Sequence, residues 1–138
     1  MTSTSLKVAI PALCAWRECR SGGLVGMQSV INVLQNRATK YKTDLYIETT
    51  KAKQFTSISP PNNMTAANSE ANVWPTEEDT LYPSAEVMIN EAINGNLPDI
   101  TGGAVLYYAQ TMNTPPDWDF NELVHTATIA GQLFFKYK

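Results

Sequence analysis

The carboxyl of Glu18 is the first candidate for chemistry in this chain. It follows Trp16 and precedes Cys19 near the end of a helical stretch with apolar neighbours. Desolvation and the negative end of a helix dipole would both favour its protonated form there. A carboxyl that keeps its proton near neutral pH is what a general acid needs, as in glycoside cleavage, where the leaving oxygen must receive a proton. On spacing alone the plainer reading is the stronger one: a surface glutamate paired with Arg17 or Arg20. Asp117 and Asp119, flanking Trp118, are the candidates for the second carboxylate that ordinary hydrolysis uses, although loop aspartates beside a Trp more often form turns. His125, the sole histidine, has no evident partners for nucleophile activation or zinc binding and reads as structural. Cys14 and Cys19 are five residues apart, on different faces of a helix. That offset argues against a disulfide between them, and a lone pair is a poor metal site. Neither a metal nor another cofactor is expected.

A helical hairpin must position Glu18. Apolar residues recur with helical spacing from Lys7 to Arg20, with Pro11 tolerated in the first turns. Ser21, Gly22 and Gly23 break that helix, and a stronger one runs from Leu24 to Lys40 with a broad apolar face. A short helix is expected over Leu45 to Thr50. Gln54 to Trp74 reads as a long loop, rich in turn formers around Pro60 and Pro61. Another helix is expected from Glu77 to Asn94, with Pro83 near its start and Asn94-Gly95 as its stop. The period then changes. Ala104 to Ala109, Thr126 to Ile129 and Leu133 to Phe135 are β-type runs. Helices first and a small antiparallel sheet last imply an α+β fold.

Length and composition set the outer limits. The 138 residues suit one domain, 1–138, and 43% hydrophobic content supplies a core. A net charge of −3 argues against nucleic acid as a partner. Any anionic polymer would have to be held mainly by hydrogen bonds and stacking. No run approaches the roughly 20 apolar residues of a membrane span. The polar start, Met1 to Lys7, lacks the apolar stretch of a secretory signal, so the chain is expected to stay in the cytoplasm or leave by another route.

The segment Glu18 to Arg37, ECRSGGLVGMQSVINVLQNR, resembles the opening motif of the SleB/CwlJ-like cell-wall hydrolases, E-A-x-G-E followed by G-x-x-A-V-x-x-V-x-x-N-R. Gln54-Phe55 is similar to that family's Q-F-S element. Thr101 to Ala104 with Tyr107-Tyr108 resembles its T-G-G-A and aromatic strand, and Thr128 to Phe134 its closing T-I-G-x-H-x-F. The resemblance implies a lysozyme-like fold in which Glu18 is the single catalytic glutamate. It also implies lytic transglycosylase action on the β-1,4 bond between N-acetylmuramic acid and N-acetylglucosamine. Three positions depart from the pattern: Ser21 replaces a glycine, Gly22 the second acid and Gln132 the late histidine.

The implied substrate contacts are Gln54 and Phe55, one of Tyr107 and Tyr108, and Trp118, which would either stack on a pyranose or anchor its loop on the core. Tyr107 and Tyr108 point to opposite sides of a strand, so one belongs to the core. The implied partner is the peptidoglycan glycan strand, bound by a monomer with no stable membrane insertion. The expected setting is a phage endolysin, held in the host cytoplasm before release and acting at the wall. Two alternatives stay open: a hydrolytic muramidase using Glu18 with an aspartate, and a non-catalytic glycan-binding or virion protein on the same scaffold.

Overall fold

A computed structural model of the chain describes residues 5–51, 55, 58 and 73–138. Helix α1 spans Leu6–Cys19, opened by the Ser5 hydroxyl, which accepts from the Lys7 amide at 3.2 Å. A 3-10 turn over Arg20–Gly22 and the left-handed Gly23 (φ 67°) reverse the chain into α2, Gly23–Tyr41. Asp44 caps α3, Leu45–Thr50, by accepting from the Ile47 amide at 2.8 Å. Helix α4 covers Leu81–Ile93 and starts later than the expected Glu77. Asp79 Oδ1 accepts from the amides of both Leu81 and Tyr82 at 2.9 Å, which leaves Glu77 and Glu78 in a turn before the helix.

Strands β1 (Leu106–Ala109), β2 (Leu123–Ile129) and β3 (Gln132–Tyr137) form an antiparallel sheet in the order β1-β3-β2. The expected α+β arrangement is therefore present, with two strands longer than their apolar runs. β2 starts at Leu123 and carries a bulge between His125 and Ala127, while β3 continues through the exposed Lys136 and Tyr137. Pairing extends these strands past the residues that packing selects. Ala130 (φ 51°) and Gly131 (φ 77°) make the tight left-handed turn between β2 and β3.

Helices α1, α2 and α4 share the main core, in which Ala12, Cys14, Met27, Ile31, Leu34 and Ile89 are fully buried. A smaller cluster of Val33, Ala104 and Phe134 fastens α2 to the sheet. Among the described residues no helix is long and apolar enough to cross a membrane.

Candidate active site

Close approach of two helices sets the position of Glu18. A Cβ added at Gly26 would lie 2.8 Å from Cys19 Sγ and 2.9 Å from its carbonyl oxygen, so the start of α2 can touch the end of α1 only through glycine. At Gly22 a Cβ would lie 2.6 Å from the Ala130 methyl, so the β2–β3 turn packs onto the same spot. Gly22 is the position where the resembled family has its second acid. A larger side chain there would strike the turn.

Glu18, half-buried, accepts a 2.8 Å hydrogen bond at Oε1 from the hydroxyl of Tyr107, 89 residues along the chain. The Tyr107 ring stacks on Phe134 at 5.5 Å, which fixes its direction from the sheet toward the helices. Burial, followed by the charge of Glu18, raises the Tyr107 phenol well above its ordinary value of 10. It therefore stays a proton donor throughout the neutral range. The Cys19 thiol beside Glu18 is also raised, first by burial, against the lowering effect of the Gly22 amide.

The residues around Glu18 are held by longer-range contacts. Arg17 donates from Nε to the Val73 carbonyl at 2.9 Å and lies over the Trp74 ring. Arg20 lies over the Trp16 ring, and Trp16 Nε1 donates to Asp79. Arg37, the last residue of the segment that begins at Glu18, donates from Nε to the Val105 carbonyl at 2.6 Å. It thus secures the entry to β1, the strand that carries Tyr107. Asn36 Nδ2 reaches Asp99 at 3.1 Å and the Ala104 carbonyl at 2.9 Å, joining the N-R and T-G-G-A segments. Asp99, which sequence reading missed, also accepts from the Thr101 hydroxyl and amide and from the Gly103 amide. Its signal was an aspartate two residues before a threonine, an arrangement that favours such a turn.

The remaining candidates part company. Tyr108 turns to the far face of the sheet, parallel to Phe135 at 5.6 Å and edge-on to Trp118 at 5.7 Å. Trp118 also packs at 6.0 Å from Phe120 and 6.3 Å from Phe135, so it anchors its loop there. Asp119 accepts from the Asn121 amide, which makes it a turn former. His125 is exposed, with Nε2 3.0 Å from the Thr128 hydroxyl. Phe55, expected to touch substrate, is instead only 4% exposed and packs in the main core, because burying an aromatic ring outweighs presenting it. Gln54 lies outside the described residues. Among the described residues no three His, Cys, Asp or Glu side chains gather as metal ligands would.

No family model and no curated protein matches the chain by sequence. By structure it is similar to the catalytic domain of the germination-specific lytic transglycosylase SleB from Bacillus anthracis. The TM-score is 0.68 and the identity 21%, with 99% of each chain covered. That likeness shows the fold.

Proposed function

We propose that this chain cleaves peptidoglycan glycan strands as a lytic transglycosylase, with Glu18 as acid and then base. The observation that carries the reading is the Glu18 carboxyl at the end of α1, oriented by a phenol that keeps its proton, on a fold shared with a lytic transglycosylase domain. In the first step Glu18 gives its proton to the glycosidic oxygen as the bond from that oxygen to C1 of the muramic acid breaks. In the second, the Glu18 carboxylate takes the proton of the muramic acid 6-hydroxyl, and O6 bonds to C1. The product is a 1,6-anhydro ring. One carboxylate suffices because no water has to be activated. Tyr107 is a positioning residue: it holds Oε1 and limits the rotation of the carboxyl.

A hydrolytic route through an aspartate has less support. Asp119 serves its own turn, and Trp118 beside it packs under the face of the sheet that Tyr107 does not share. Mass spectrometry of digested sacculi tests the choice: anhydro-muramic ends support the transglycosylase and reducing ends refute it. Glu18→Gln should abolish either product, and unchanged digestion by that variant would remove Glu18 from the mechanism. The phage-lysis setting has a separate test, in which coexpression with a membrane-permeabilising partner clears a culture only while Glu18 is intact.

A further inference from the structure

Arg37, Lys40, Lys51 and Lys136, four of the chain's ten lysines and arginines, line two cavities at the end of β3 that share Tyr137 as a wall. The cavities measure about 320 and 180 Å³. Glu48 alone among the lining residues is acidic, and its Oε2 already lies 2.6 Å from the Lys51 ammonium. The cations gather on exposed rings. Lys40 Nζ is 4.9 Å from the centroid of Tyr137, and Lys51 Nζ is 4.4 Å from that of Tyr41. Tyr41 is 48% and Tyr137 44% exposed. In a chain of net charge −3 this is a local reversal of sign with flat apolar surfaces set into it.

We propose that this Tyr41–Tyr137 groove is a second binding site for carboxylate-bearing glycan strands, an inference that rests on the function proposed above. Two observations choose this occupant. Tyr41 closes α2, whose first residue, Gly23, follows Glu18 by five positions, so the groove lies about 27 Å along that helix from the Glu18 end. A sugar polymer long enough to span that helix can reach both the Glu18 end and the groove. The charge density also fits. DNA carries one charge per about 1.7 Å, which an acidic chain with a small basic patch meets poorly. A wall glycan spaces its carboxylates by whole sugars and offers pyranose faces for the two tyrosines.

The test uses the full chain carrying Glu18→Gln, so that the bound wall is not consumed. Binding is measured to purified sacculi, to sacculi whose carboxyls have been converted to amides, to duplex DNA and to vesicles of anionic phospholipid. Sacculus binding should weaken as salt rises and drop about tenfold on amidation. Lys40→Gln with Lys136→Gln should give a loss of similar size, and Lys136→Arg should retain binding because it retains the charge. Equal affinity for native and amidated sacculi, no effect of the glutamine changes, or tighter binding to DNA or vesicles would each overturn the proposal. Digestion by the unaltered chain is followed in parallel. Digestion without any effect of the lysine changes refutes the groove alone, whereas a chain that neither digests nor binds sacculi refutes the groove and the enzyme together.

Discussion

Tyr107 and Tyr108 are neighbours in sequence, yet they belong to two different regions. Tyr107 faces the helices, where its ring is stacked on Phe134 and its hydroxyl is committed to Glu18. Tyr108 faces the other way, into Phe135, Trp118 and Phe120, with no charged partner in that cluster. One face of the sheet orients the Glu18 carboxyl and the other holds a loop by ring packing. If this division is correct, substitutions on the helix side should change activity more than stability, and those on the far side the reverse.

Glu18→Gln should show the largest effect, a loss of about 10²–10⁴-fold in product release, the usual contribution of a general acid. Its melting temperature should stay near that of the parent, and a collapse in stability would break the comparison. Tyr107→Phe keeps the ring and removes the donor. A hydrogen bond of this kind is worth about 0.5–1.5 kcal/mol, so activity should fall a few-fold to roughly tenfold while the fold persists. On the far face, Trp118→Ala should cost about 2 kcal/mol in denaturant unfolding and leave the turnover of the folded enzyme close to normal. An equal loss of turnover would bring that face into the site. Gly22→Ala puts a methyl 2.6 Å from that of Ala130 and should cost about 1–3 kcal/mol, which Ala130→Gly should partly restore.

The smallest effect is alkaline. Tyr82 is pushed up to about 12, by burial first and then by Glu86, and Tyr107 is raised as well. Both phenols keep their protons in the folded state when the unfolded chain has begun to lose them. Their contribution to stability is complete below pH 10 and should decline from there toward pH 12. Melting curves across that range, compared with Tyr107→Phe, would measure the share due to Tyr107.

Local chemistry was easy to read and long-range pairing was not. Helix α3 has the bounds expected because its cap, Asp44, is adjacent in sequence. The start of α4 was misplaced because Glu77 and Glu78 suit a helix, whereas Asp79 withdraws the first free amides to itself. Strand alternation established that Tyr107 and Tyr108 diverge, but only packing decides which side the helices cover. The bond from Asn36 to Asp99 spans 63 residues, and no local pattern encodes it. Phe55, expected at the substrate, lies in the core for a related reason: a motif identifies a residue without saying whether it faces solvent.

The contact between Gly22 and Ala130 has a consequence for how substitutions combine. A side chain at 22 and a methyl at 130 compete for the same space, so bulk at either position is tolerated best with glycine at the other. An acid placed at 22 should therefore cost less stability when glycine stands at 130. The two sites are coupled, and a library that varies one of them alone would miss the pairs in which bulk moves from one position to the other.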